Sequence, residues 1–111
     1  MTLDETAADE RKGRLTRDGI RIHDLEDFGG MNRAGRLAAT ILDDIAEHVV
    51  VGQRTSEIDR VITDLIDQAN AKSATIGYKG YQHASCISVN HVVCHGIPGD
   101  KKLKDGDILN V

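Results

Sequence analysis

The sequence predicts an α+β fold in which two amphipathic helices pack on an antiparallel sheet. Between residues 25 and 69, apolar side chains recur every three or four positions, which is the period of a helix with one buried face. From Gly77 onward the period changes to two, which is the alternation of a strand with two different faces. These two periods, in this order along the chain, indicate the fold class.

Composition restricts the class of protein. The chain has 111 residues, of which 40% are hydrophobic and 29% are charged, as in one small globular domain or part of a larger one. A net charge of −4 argues against a nucleic-acid surface, which is usually basic. The sequence has neither an apolar run long enough to span a membrane nor the apolar core of a secretory signal. Two cysteines in such a chain indicate reduced thiols, so we expect a cytoplasmic protein.

The first predicted helix runs from about Leu25 to Val49. Asp24 is expected to be its N-cap, and Asp27 lies three residues later, where a capping box has its acid. Residues 1–19 have no sustained apolar period and are predicted to be a mobile tail, so residues 20–111 form the folded part.

The second predicted helix begins at Thr55 or Ser56, either of which would be a good N-cap. Its apolar positions form one clean stripe: Ile58, Val61, Ile62, Leu65, Ile66 and Ala69. The charged residues between them are predicted to lie on the solvated face: Asp59, Arg60, Asp64 and Asp67.

Three strands are expected after the helices. The first covers Cys86 to Asn90, a turn follows at Asn90-His91, and the second covers Val92 to His95. The third begins at Ile108 and is still apolar at Val111. Because chain termini are usually exposed and frayed, we expect this sequence to be a piece of a longer protein.

The histidines and cysteines allow two chemical interpretations from their types alone. Imidazoles and thiolates are the ligands that zinc prefers, but the spacing of Cys86 and Cys94 lacks the short pairs of a zinc finger. A Cys–His nucleophile pair is the second interpretation, since Cys86 could meet His95 across a hairpin. Both alternatives stay open at this point, beside the ordinary case of two buried, unreactive thiols.

Several blocks of the C-terminal third match one known family in order and spacing. They are GYKGYQ, CISVN, VVCHGIP and KDGDILN. In these blocks the sequence closely resembles the N-terminal half of type I methionine aminopeptidases. The match extends over residues 20–111, and separated blocks in the right order are more specific than a single short motif.

The resemblance implies half of a pita-bread fold and a role in removing the initiator methionine from nascent proteins. Full-length members use two divalent metal ions (Co, Mn, Fe, Zn or Ni), which polarise the scissile carbonyl and supply the attacking hydroxide. The family's five metal ligands fall beyond Val111, so no metal is expected in this chain and the chain by itself is expected to be inactive. The expected partner is the N-terminal methionine of nascent polypeptides, with ribosome association an open expectation and no membrane or nucleic-acid partner.

The resemblance also assigns site residues. Tyr78 and Tyr81 match tyrosines that wall the pocket for the methionine side chain, and Cys86 matches a cysteine that lines it. His95 matches the active-site histidine that hydrogen-bonds the substrate near the scissile amide, so it is both the catalytic candidate and a substrate-binding candidate.

Two positions depart from the family pattern. Gln82 stands where the family often has proline, and Thr75 stands where some relatives have a pocket cysteine.

The alternative function is a truncated, non-catalytic paralogue that binds another protein through an uncovered pocket and an open sheet edge.

Overall fold

The computed structural model describes residues 13–111. Helix α1 spans Leu25–Ile45 and continues as a 3-10 turn at Ala46–His48, and helix α2 spans Thr55–Gln68. A second 3-10 turn, Tyr78–Gly80, precedes the strands β1 (Ser88–Val89) and β2 (Leu109–Asn110). The chain divides into two compact units, one ending at Arg36 and one covering Leu37–Val111, and each is described by itself.

The predicted capping box at the start of α1 is confirmed. The Asp24 backbone N–H donates to Oδ2 of Asp27 at 3.0 Å, and the Asp27 N–H donates to Oδ1 of Asp24 at 3.1 Å. Before the helix, residues 16–20 form a turn in which the Thr16 N–H donates to the Ile20 carbonyl. The predicted tail includes residues 1–12, which lie outside the described residues, so its mobility stays a prediction.

The second unit is built around one apolar core. Its buried members come from both helices, from the neighbourhood of β1 and from the loop after Pro98: Ile41, Ile45, Ile58, Ile62, Ile87, Val89 and Leu103. Ile58 is fully buried, as expected from its place in the α2 stripe. The two helices and the antiparallel sheet therefore confirm the fold class that the two sequence periods predicted.

The start of α2 differs from the prediction, because Thr55 is the first helical residue and not the cap. The Arg54 N–H donates to Oε2 of Glu57 at 3.3 Å. The Thr55 hydroxyl instead exchanges two hydrogen bonds with the backbone of Gly99, at 2.8 and 3.2 Å. Helix-start N–H groups have no partner within their own helix, and here Thr55 and Ser56 donate to the carbonyls of Lys101 and Gly99. The loop after Pro98 is thereby fixed to α2.

The sheet is antiparallel, with Ser88 opposite Asn110 and Val89 opposite Leu109. The predicted second strand, Val92–His95, is wrong. Asn90 adopts a left-handed conformation (φ 54°), and its side chain bonds Asp107 and the Ile108 N–H, so β1 pairs with the last strand. Among the described residues, no helix has the length and apolar character needed to cross a membrane.

Candidate functional site

The Gly-Tyr-Lys-Gly-Tyr segment forms a tight reversal. The Gly77 N–H donates to the Tyr81 carbonyl at 2.7 Å. Gly77, Lys79 and Gly80 all have positive φ angles, of 89°, 49° and 82°. Glycine adopts this conformation at no steric cost, whereas for lysine it costs roughly 1–2 kcal/mol. The two glycines therefore allow a reversal that brings both tyrosines to the same cavity.

A cavity of about 550 Å³ lies beside this reversal, and all four residues predicted for the site line it: Tyr78, Tyr81, Cys86 and His95. The remaining lining residues are Ala74, Thr75, Lys79 and Gly80. The volume is within the range of small-molecule sites, which combine apolar walls with a few polar groups. The arrangement therefore suits an apolar side chain that carries polar groups at one end.

Tyr81 and Cys86 form the half-buried inner part of the cavity. The Tyr81 hydroxyl donates to the Ser85 carbonyl at 2.7 Å, and the Cys86 thiol donates to the Tyr81 oxygen at 3.5 Å. Burial raises the pKa of Tyr81 to about 12, and the neighbouring acids Cys86 and Asp59 add to the shift. The phenol therefore stays protonated and keeps its hydrogen bond at any physiological pH.

We expect Tyr81 to lower the free energy of unfolding as the pH rises into the alkaline range. A tyrosine in an unfolded chain ionises near pH 10, whereas the folded pKa of Tyr81 is about 12. The contribution of the protonated phenol is therefore complete below pH 10 and is lost as the pH rises through 12. Urea unfolding from about pH 8 to about pH 12 should show a steeper loss of unfolding free energy for the wild type than for Tyr81→Phe. The Tyr78→Phe control should retain the wild-type slope, and equal slopes for wild type and Tyr81→Phe would contradict the assignment.

Tyr78 forms the outer rim of the cavity. Its side chain is 65% exposed, and the Lys79 ammonium lies 5.4 Å from the centre of its ring. A cation at this distance is attracted to the ring face. The mouth of the cavity therefore carries a positive charge next to an aromatic surface.

His95 is exposed and has a left-handed backbone, with φ 57°. The next residue fixes it in place: the Ile87 N–H donates to the Gly96 carbonyl at 2.8 Å, and the Gly96 N–H donates to the Ser88 hydroxyl at 3.1 Å. His95 also lines a second cavity, of about 530 Å³, which includes Thr55 and Ile97. The imidazole therefore lies on the boundary between two hollows and is anchored through β1.

Sequence reasoning was wrong about Asp59, which is only 6% exposed although it was predicted to be solvated. The Ser85 hydroxyl donates to its Oδ1 at 2.7 Å, and Nδ1 of His83 lies 3.4 Å from its Oδ2. The helical period contained a signal, because Asp59 is seven residues before Ile66 and so shares its face. Asp59, His83 and Ser85 are the residues near the site that the motifs did not indicate.

The two alternative chemistries gain no support from the geometry. Within residues 13–111, no three His, Cys, Asp or Glu side chains come close enough together to hold a metal ion. That applies to a zinc site made of the cysteines and histidines and also to a two-metal centre. The Cys86 thiol donates its hydrogen bond to the Tyr81 hydroxyl and not to an imidazole, which is the partner that would activate it as a nucleophile.

Comparison with known proteins gives one consistent family. The model of metallopeptidase family M24 matches residues 29–111. The chain is 50% identical over 94 residues to the methionine aminopeptidase of Escherichia coli strain K12, and 47% identical over 92 residues to that of Rickettsia prowazekii. Each match covers 83% of this chain but 36% of the relative, so the chain spans about a third of the length of these relatives.

Solved structures agree with the sequence matches. The crystal structure of methionine aminopeptidase from Rickettsia prowazekii superposes with a TM-score of 0.78, and the one from Thermotoga maritima with a TM-score of 0.77 at 33% identity. Both superpositions cover 81% of this chain and 36% of the other chain. The two helices, the reversal and the sheet thus form part of a larger known fold.

Proposed function

The chain belongs to metallopeptidase family M24, and from this premise we propose that it is the N-terminal part of a methionine aminopeptidase that removes the initiator methionine from nascent proteins. In this proposal residues 20–111 provide the wall that receives the methionine side chain. They also provide one hydrogen-bonding group beside the scissile amide.

The observation that supports the proposal most is the shared cavity of about 550 Å³, whose lining includes Tyr78, Tyr81, Cys86 and His95. These four residues come from three separate blocks of the sequence, and each block matches the family pattern. Further support comes from identities near 50% to curated methionine aminopeptidases over most of this chain.

Each residue has a role that suits its chemistry. The tyrosine rings and the polarizable Cys86 thiol would contact the thioether of methionine, because sulfur interacts favourably with aromatic rings and soft groups. The His95 imidazole would donate a hydrogen bond to the oxygen that gains charge in the transition state, or would help to move a proton there. Its exposed position at the boundary of the cavity leaves the ring accessible to a substrate.

Membership in a metallopeptidase family implies divalent metal ions in the complete enzyme. The residues described here do not fit such a centre, because no three potential ligands lie together among residues 13–111. We therefore assign binding and orientation of the substrate to these residues and propose that the ligands of two divalent ions lie outside them. The cytoplasmic location and any ribosome association stay predictions.

A binding module is the second candidate, and one observation favours it. Three apolar side chains of the second unit are strongly exposed, at 90% for Val93, 69% for Ile97 and 72% for Ile108. A surface that another chain covers is rich in exposed apolar side chains of this kind. A paralogue without catalysis could use this surface and the open cavity to hold a partner.

A chimaera tests the proposed function. Residues 20–111 would replace the matching segment of the Escherichia coli enzyme, and a Met-Ala peptide would be assayed with cobalt or manganese. The chimaera should release methionine, because its pocket wall comes from this chain and its metal ligands come from the relative. The isolated 111-residue chain should show no turnover.

Two results would contradict the proposal. Robust turnover by the isolated chain would contradict the placement of the metal ligands outside residues 13–111. A chimaera that folds and binds metal but leaves the peptide intact would contradict the substrate-pocket role and favour the binding module.

A further inference from the structure

A buried carboxylate connects α2 to the segment that carries the inner wall of the cavity. Asp59 accepts a hydrogen bond from the Ser85 hydroxyl through one oxygen, and Nδ1 of His83 lies 3.4 Å from the other. Asp59 is on a regular helix whose neighbouring Ile58 is fully buried in the core, so its own position is fixed by packing.

The segment that contains His83 and Ser85 makes few other hydrogen bonds. Residues 82–86 belong to neither helix nor strand, and no backbone–backbone hydrogen bond connects them to another described residue. Their other hydrogen bonds involve side chains, among them one from the Thr75 hydroxyl to the His83 carbonyl at 2.7 Å, and Ala84 packs against the apolar core. Hydrogen bonds to a charged group are stronger than those between neutral groups, so the bond from the Ser85 hydroxyl to Asp59 is the strongest of this set.

The same segment determines where the cavity wall lies. The Ser85 hydroxyl donates to the Asp59 carboxylate, and the Ser85 backbone carbonyl accepts a hydrogen bond from the Tyr81 hydroxyl. The next residue is Cys86, whose thiol donates to that same hydroxyl. His83 contacts the Tyr81 ring edge to face, with 5.4 Å between the ring centres. A displacement of Ser85 would therefore move both inner wall residues.

We propose that Asp59 is a positioning residue that anchors segment 82–86 on α2 and thereby sets the positions of Tyr81 and Cys86 in the cavity. The anchoring is a property of the fold. Only its consequence for substrate selection rests on the proposed function.

A double-mutant cycle on the full 111-residue chain tests the anchoring. Asp59→Ala, Ser85→Ala and the double variant would be alkylated with iodoacetamide, and mass spectrometry would follow Cys86 and Cys94 separately. Cys94 is exposed and serves as the internal reference. Each single variant should raise the Cys86 to Cys94 rate ratio about threefold or more, since the released thiol becomes accessible. The double variant should not exceed the larger single effect, because both changes break the same link.

Asp64→Ala is the matched control, since Asp64 is an exposed acid on the same helix, and it should leave the ratio unchanged. Three results would overturn the proposal: an unchanged ratio in the Asp59 variant, additive effects in the cycle, or an equal rise in rate at both thiols. An equal rise at both thiols would indicate general loosening of the fold. If Asp59→Ala does not fold, Asp59→Asn replaces it in the same cycle, because asparagine lacks the charge but keeps the size. Alkylation needs no turnover, so the anchoring and the aminopeptidase function can fail separately.

Discussion

Replacing His95 with asparagine in the chimaera is expected to lower kcat for a Met-Ala peptide by about 10²–10³-fold, the usual effect of removing a group that stabilises transition-state charge. Asparagine is the informative substitution because residue 95 has a left-handed backbone, with φ 57°. Asparagine accepts that conformation readily, whereas alanine would add strain to the loss of the imidazole. The KM should change little, since the methionine side chain is received by other residues.

The control is His91→Asn, an exposed histidine in the turn after β1 that lines neither cavity next to His95. It should retain kcat within about twofold, as expected of a surface change away from the site. Near-wild-type kcat in the His95→Asn variant would remove His95 from the catalytic machinery, and the proposed mechanism would then require a different hydrogen-bonding group.

Replacing Gly96 with alanine is expected to lower the free energy of unfolding by about 2–3 kcal/mol, the upper part of the usual range for overpacking. A Cβ at this position would lie 2.8 Å from the Ile87 carbonyl carbon and from Ser88 Cα, and closer still to the Ile87 carbonyl oxygen. These are backbone atoms beside β1, so they cannot move away as a flexible side chain could. For a domain of this size the loss corresponds to a fall of about 10 °C in Tm.

Gly99→Ala is the matched control in the same loop, since its Cβ would lie 3.9 Å from the Ile97 carbonyl oxygen. Its unfolding free energy should stay within about 0.5 kcal/mol of wild type. Circular dichroism during thermal and urea unfolding measures both variants. Equal stability of the two variants would mean that the loop relaxes around Gly96 without cost, in which case β1 does not fix the backbone of His95.

The helices were predictable because their signals are local. The Asp24–Asp27 capping box and the stripe through Ile58 and Ile62 depend on residues within a few positions of each other. The family motifs were equally informative, and the pita-bread fold that they implied is confirmed, as a partial domain, by solved methionine aminopeptidase structures.

The strand partners were harder to predict because the period of two indicates a strand but not its neighbour. Val92–His95 has a suitable alternation, yet the left-handed Asn90 turns the chain away and its side chain bonds Asp107 and Ile108 instead. Pairing β1 with β2 depends on residues about twenty positions apart, which no local window contains.

The helices, the family and the residue types of the candidate site could be predicted from the amino-acid sequence, because each depends on short spacings or on ordered motifs. The burial of Asp59 and its bond to the segment that carries Cys86 became visible in the fold, as did the shape of the cavity that Tyr78, Tyr81, Cys86 and His95 line. Burial and hydrogen-bond partners could not be predicted in this way because they depend on which distant segments pack together. The Asp59 carboxylate on α2 accepts its hydrogen bond from Ser85, and in the sequence the reversal at residues 77–81 lies between these two residues.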